Sequence, residues 1–294
     1  MDDPARARPL TGEGGGAFED AAAGIDLVIP TDLDATLVLV RHGESELIVE
    51  HRFQGQMDSP LSATGRRQAG LVAHRLARPH ARPSLPVPVG PPLAVVHSPL
   101  GRAAETATAI HLAAAAADAF DVPIPLRPDA RLLEIGQGAW EGMLASEIAE
   151  RDGERLATWR RTPTLAWAPG GERLADVRAR VAPGLAALLL ELAGAGRPGS
   201  IHAPQVAGYR DPAPVHPWTI VVGHDGVFMV LLLTLFDLPL ERFWMWSSEL
   251  CGISIVEFRA GRPVIRAMNL TEHLAALGDE AAADAADRAR SGAL

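Results

Sequence analysis

The sequence predicts an α/β fold with a mostly parallel central sheet enclosed by helices, and three observations carry that expectation. Short apolar, β-branched runs recur at Leu37-Val38-Leu39-Val40, Leu93-Ala94-Val95-Val96 and Trp218-Thr219-Ile220-Val221-Val222. Segments with helical spacing lie between them, and strands alternating with helices favour a parallel sheet covered on its faces. Ionisable residues and glycines then follow the runs directly, at the carboxyl ends where open α/β sheets gather their ligands.

Residues 1–34 are rich in Gly, Ala and Asp without a sustained period, which predicts a loosely ordered extension. The folded domain is expected over 35–276. Its first strand ends in Arg41-His42-Gly43-Glu44, and a polar loop, Phe53-Gln54-Gly55-Gln56-Met57-Asp58-Ser59-Pro60-Leu61-Ser62, comes after it. A helix follows, with Ala69, Val72, Ala73 and Leu76 on one face and Ser62 or Thr64 as its N-cap. Prolines from Pro79 to Pro92 end that helix and form a connector. Gly101 to Ala117 reads as an alanine-rich helix with Arg102 in its first turn, where an arginine can share an anion with free backbone N–H groups. A longer helix is expected near 174–192, with Val177, Val181, Leu185, Leu188 and Leu192 on its apolar side. The segment 194–217, rich in Gly, Pro and Ala, is longer than ordinary connectors and reads as a surface insertion carrying His202 and His216. Residues 277–294, dominated by Ala, Asp and Arg, are expected to be a tail, either a short solvated helix or disordered.

Composition narrows the function. At 294 residues and 48% hydrophobic, the chain can bury one large core. A single cysteine, Cys251, excludes an internal disulfide and fits a reducing compartment. The net charge of -9, without a concentrated basic stripe, argues against nucleic acid as a partner. No apolar stretch reaches membrane-spanning length, and the start Met1-Asp2-Asp3-Pro4 is acidic where a secretion signal is basic. The expectation is a cytoplasmic protein without membrane contact. No two histidines recur at one-turn helical spacing and no convincing metal triad is present in the sequence, so neither a metal nor another cofactor is expected. Trp244, Trp246 and Leu231-Leu232-Leu233 read as core or as the face of a homodimer.

Four motifs occur in order: Arg41-His42-Gly43; Ser98-Pro99-Leu100-Gly101-Arg102-Ala103-Ala104-Glu105-Thr106; Glu134 before Gly138-Ala139-Trp140-Glu141-Gly142; and Gly223-His224-Asp225-Gly226. Together they resemble the histidine phosphatase superfamily, also called the phosphoglycerate mutase-like family, over roughly Thr36 to Leu274. The resemblance implies a three-layer α/β/α sandwich, a small phosphorylated substrate, and hydrolysis of a phosphate monoester through a phosphohistidine.

Residue chemistry agrees with that implication. A phosphate monoester repels anionic nucleophiles, so a neutral imidazole among cations is a sensible attacking group, and His42 is the candidate. Its other ring nitrogen would be held by a backbone carbonyl to fix the tautomer. Arg41 and Arg102 offer planar forks to phosphoryl oxygens, and a protonated His224 adds a donor. A leaving alkoxide needs a proton, and the resemblance places that acid at Glu134 rather than Glu141, with Glu134 then serving as base toward water. Gln54 and Gly55 match a loop lining the family's phosphate pocket through an amide and a backbone N–H. At the sixth position after His42, where many members carry an asparagine that contacts phosphate, this chain has Ile48, a change that would weaken phosphate binding, shift substrate preference, or be covered by another donor such as Arg52.

Two other readings compete. The segment Glu134-Ile135-Gly136-Gln137-Gly138-Ala139-Trp140-Glu141-Gly142 is similar to the phosphatase branch, whereas cofactor-dependent phosphoglycerate mutases tend to carry Arg-His-Tyr-Gly after that glutamate. Only Arg160-Arg161 resembles the mutases' longer basic insertion. From another class comes a catalytically silent scaffold that binds a phosphorylated ligand, with Ile48 as its support. The closing Asn269-Leu270-Thr271-Glu272-His273-Leu274 is similar to a family segment and reads as structural.

Overall fold

The computed structural model describes residues 27–116, 120, 122–196 and 216–278. The end segments, most of the Gly/Pro-rich insertion and His202 lie outside those residues. Leu33 is buried, and Leu27 and Ile29 pack against the core, so the chain reaches the core ahead of Ala35.

Strand β1 spans Ala35–Arg41 and is followed by a one-turn helix α1, Glu46–Val49, and by α2, Ala63–Ala77. Ser62 caps α2, its hydroxyl accepting from Gly65 N at 3.0 Å, which satisfies one of the free first-turn donors. Next come β2, Val95–His97; α3, Gly101–Ala116; and β3, Leu126–Pro128. Helix α4, Ala145–Arg161, escaped the sequence reading, its apolar face being reduced to Ile148, Leu156 and Trp159 among charged residues. Helix α5 is Leu174–Ala195, β4 is Trp218–Gly223, and α6 is Asp225–Leu235. Two long strands close the fold, β5, Ile253–Arg259, and β6, Arg262–Leu270.

The six strands are ordered β3-β2-β4-β1-β5-β6. β3, β2, β4 and β1 are mutually parallel, while β5 runs antiparallel to β1 and turns into β6 through Ala260 and Gly261, both at positive φ. A two-residue hairpin needs that backbone twist.

Alternation along the strands sorts the core into two layers. Leu37, Leu39, Val96, Val221 and Val256 face a cluster that includes Val181, Leu185 and Leu189 of α5 and Val227 and Leu231 of α6. Val38, Val40, Val95, Ile220, Val222 and Ile255 face another, with Val72 and Leu76 of α2 and Ala103, Ala107 and Ile110 of α3. Helices therefore cover both faces, the three-layer sandwich expected, and this is why the central strands read as nearly unbroken apolar runs. His216, expected inside the insertion, instead sits just ahead of β4, buried, with Nε2 2.8 Å from the Thr36 hydroxyl. Among the described residues no helix is long and apolar enough to cross a membrane.

Candidate active site

Register decides the site. β1 and β4 pair in parallel with Arg41 opposite Gly223, so the next residues, His42 and His224, leave the sheet side by side at its carboxyl edge. Their rings meet edge-on with centroids 5.0 Å apart and an interplanar angle of 61°. Both residues are buried. His42 Nδ1 lies 2.7 Å from the carbonyl oxygen of Gly43, a contact that requires Nδ1 to carry the proton and leaves Nε2 with its lone pair. β2 lies against the other side of β4, and Ser98, just past its end, places Oγ 2.8 Å from His224 Nε2.

Arg102 enters from the first turn of α3. Its guanidinium is buried, with Nε donating to His42 Nε2 at 3.3 Å, Nη2 to Gly55 O at 2.8 Å and Nη1 to Met57 O at 3.0 Å. The polar loop after β1 therefore wraps the arginine with carbonyls. Gly55 has φ +51°, and a Cβ there would lie 2.3 Å from Glu141 Oε1, so the turn admits glycine alone. Gln54 accepts from the Ser45 hydroxyl at 2.6 Å. Arg41 donates through Nη1 to Ser248 O, while its buried Nε has no acceptor. Buried His224 Nδ1 also lacks a partner. Two polar nitrogens with unmet hydrogen-bonding capacity, beside a guanidinium and an imidazole lone pair, suit an anionic guest.

Glu134 reaches the cluster from the segment before Trp140. Its Oε1 accepts from Ile135 N at 2.9 Å and Val227 N at 3.0 Å, and its Oε2 from Gly226 N at 3.3 Å, so the carboxyl occupies the amino end of α6 directly after His224. Gly226 gives that carboxyl its room: a Cβ would stand 2.7 Å from Glu134 Oε1, so the carboxyl would have to shift. The rest of the Gly-Ala-Trp-Glu-Gly motif is an anchor. Trp140 is fully buried and donates from Nε1 to Asp152 Oδ2 at 2.8 Å. Glu141 accepts from Gln56 N and Gln137 N, both at 2.9 Å, tying this segment to the loop after β1.

Electrostatics set the protonation states. Burial, then the charges of Arg102 and Arg41, hold the His42 pKa well below the usual histidine value. Burial likewise depresses His224, reinforced by His42, Arg102, Arg41 and Arg180. Burial raises Glu134 above the ordinary carboxylate range against the pull of its backbone donors and Arg102. The free site thus presents neutral imidazoles, fixed guanidinium charge and a carboxyl biased toward its protonated form. Among the described residues no group of three or more His, Cys, Asp or Glu side chains is placed to hold a metal ion.

The structure brings Arg41, His42, Arg102, Glu134 and His224 into one cluster, with Gly55 on its rim through a carbonyl and Gln54 one hydrogen bond behind, on Ser45. Arg52 is engaged elsewhere, with Gly142 O at 2.7 Å and Glu50 Oε2 at 3.0 Å, and Ile48 lies in α1, its N–H turned to Ser45. Ser98 was within a recognised motif yet had no assigned role; its position as the motif's first residue was the available signal. Asn269 accepts from Glu249 N at 2.7 Å, and His273 Nε2 lies 3.0 Å from Cys251 O, contacts that brace the turn beneath Arg41.

The model of the histidine phosphatase superfamily (branch 1) matches residues 37–196 and 209–271. Phosphoserine phosphatase 1 of Hydrogenobacter thermophilus is 30% identical over 242 residues, covering 81% of this chain and 93% of that protein. Glucosyl-3-phosphoglycerate phosphatase of Mycobacterium tuberculosis is 34% identical over 210 residues, covering 70% and 78%. The solved structure of YhfR from Bacillus stearothermophilus superposes with a TM-score of 0.63 at 27% identity, covering 81% of this chain and 98% of its own. With its motif order, fold and site cluster in agreement with these matches, the chain belongs to the histidine phosphatase superfamily.

Proposed function

We propose that the protein hydrolyses the phosphate monoester of a small metabolite by passing the phosphoryl group through His42. The chain is a phosphoric monoester hydrolase; the observation that carries the residue roles is the contact of His42 Nδ1 with Gly43 O, which leaves Nε2 as a lone pair among cations. Nε2 attacks phosphorus in line, the bond from phosphorus to the ester oxygen breaks, and that oxygen takes the proton of Glu134. Arg102, Arg41 and His224 hold the phosphoryl oxygens as charge spreads across them; the incoming dianion raises the His224 pKa and favours its charged form. Water then attacks the phosphohistidine, giving a proton back to Glu134 and releasing inorganic phosphate with His42 free.

Burial of a protonatable carboxyl supports turnover over silent binding, because an ionised Glu134 would repel a phosphate that a pure binder had only to retain. The mutase reading is less favoured, since both relatives described above carry phosphatase names. The same reading places the protein in the cytoplasm and takes it as a homodimer.

Release of inorganic phosphate from a panel of monoesters, run with a chelator and with His42→Ala alongside, tests the reading. The panel includes phosphoserine, phosphoglycerates, phosphorylated sugars and glucosyl-3-phosphoglycerate. Chelator-resistant release that the substitution abolishes is expected. Isomerised phosphoglycerate without net release would favour the mutase, and binding without either product the scaffold.

A further inference from the structure

Glu134 does not hold its place through its own carboxyl alone. Its backbone carbonyl receives two donors from outside its segment, Arg180 Nη2 at 2.9 Å from α5 and Gln56 Nε2 at 3.0 Å from the loop after β1. Arg180 also donates to Arg131 O at 2.9 Å, upstream on the same segment. Glu172 grips the guanidinium at both oxygens, from Nε at 2.7 Å and from Nη2 at 2.9 Å. One of those oxygens accepts further from Gly136 N at 2.8 Å and Gln56 Nε2 at 3.1 Å. The segment is therefore pinned at Arg131, at the Glu134 carbonyl and at Gly136 by one charge-assisted network.

That network continues to the phosphate side. Gln56 lies between Gly55 and Met57, whose carbonyls accept from Arg102, and its own N–H donates to Glu141. The loop that cups the arginine is thus the loop that grips the acid's backbone. Proton donation to an ester oxygen works only within about 2.6–3.2 Å, and the ester oxygen is located by the phosphoryl group on Arg102. Setting the two at a fixed separation is a requirement of the chemistry, and an error of about 1 Å costs roughly a hundredfold.

We propose that Arg180, Glu172 and Gln56 are positioning residues that register the acid Glu134 against the phosphate-binding arginine, so that they govern protonation of the leaving group. The proposal rests on the reading of Glu134 as the general acid. Neither Arg180 nor Gln56 stood out in the sequence, because each acts through a backbone carbonyl.

Leaving-group dependence separates this role from a merely structural one. An alkyl phosphate needs the proton in its first step, whereas p-nitrophenyl phosphate expels a stable phenolate without it. kcat/KM reports that first step for both esters. Arg180→Lys keeps the charge but loses the fork, and Gln56→Leu removes the other donor to the Glu134 carbonyl, together with one hydrogen bond to Glu172, while keeping the Arg180–Glu172 pair itself, so the second variant serves if the first does not fold. Glu134→Gln is run alongside. The expected result is a loss on the alkyl ester at least tenfold larger than on the aryl ester in both positioning variants, smaller than but parallel to that of Glu134→Gln. Equal losses on the two esters in the positioning variants, with Glu134→Gln still selective, would overturn the positioning role alone. A non-selective Glu134→Gln would take down the acid assignment and the proposal with it.

Discussion

Arg102 Nε stands 3.3 Å from His42 Nε2, directed at the lone pair that the Gly43 carbonyl leaves on that nitrogen. A guanidinium cannot give up its proton at working pH, so this contact tolerates the neutral ring and opposes the imidazolium. In the proposed mechanism the arginine that binds phosphate thereby also keeps the attacking nitrogen unprotonated.

The pH dependence follows in sign. His42 is held well below its usual value of 6.5, first by burial and then by Arg102 and Arg41, so it stays neutral into the acid range. Glu134, raised above 4.5 chiefly by burial, keeps its proton beyond the ordinary carboxylate range. Activity should rise on an acid limb below the usual histidine value and fall as Glu134 ionises. A kcat/KM profile with an alkyl ester, corrected for the ester's own ionisation, should lose its alkaline limb in Glu134→Gln; an acid limb at or above 6.5 would refute the neutral-His42 account.

Glu134→Gln should lower kcat/KM for alkyl phosphates by roughly 10²–10⁴, the usual worth of a positioned acid, and much less for p-nitrophenyl phosphate. Steady-state assays on both esters check it. Equal sensitivity would move the acid elsewhere, with Asp225, whose carboxyl burial also raises, as the neighbour to examine.

Gly226→Ala tests the same carboxyl sterically. The new methyl would sit 2.7 Å from Glu134 Oε1 and equally close to Ile135 Cδ1, so the carboxyl must shift. A loss of about a hundredfold on alkyl esters is expected, from a displacement on the order of 1 Å. Thermal unfolding measured in parallel should show a small change beside the kinetic one.

Ser98→Ala removes the hydroxyl 2.8 Å from His224 Nε2 and leaves a buried ring nitrogen unpaired. Such a loss costs about 1–3 kcal/mol of stability. Phosphate affinity, read as product inhibition, should weaken as His224 loses its orientation, while the leaving-group dependence should stay that of the parent protein.

The sequence disclosed what depends on strand ends and on helices with wide apolar faces. His42 and His224 were legible because each follows an apolar run directly, and parallel pairing of those runs forces them together. Glu134 was legible through the Gly-Ala-Trp-Glu-Gly segment after it, whose Trp140 anchor fixes the approach. Helix α4 was not, because its few apolar positions are diluted by charge, and the β5–β6 hairpin was not, because its turn is Ala260-Gly261 rather than an Asn-Gly or Asp-Gly pair. The partners of Glu134 on α5 and in the loop around Gln56 stayed hidden for a different reason. They bond to backbone, and which carbonyl a distant arginine reaches is a property of the packing.

Trapping the phosphoryl group in mid-turnover identifies the side chain that carries it. Enzyme mixed with a substrate labelled in its phosphate, quenched in alkali within a turnover and digested, should carry the label on the peptide containing Arg41 and His42, and His42→Ala should carry none and turn over at least about 10⁴-fold more slowly. Label on another residue, or undiminished hydrolysis by His42→Ala, would contradict the account.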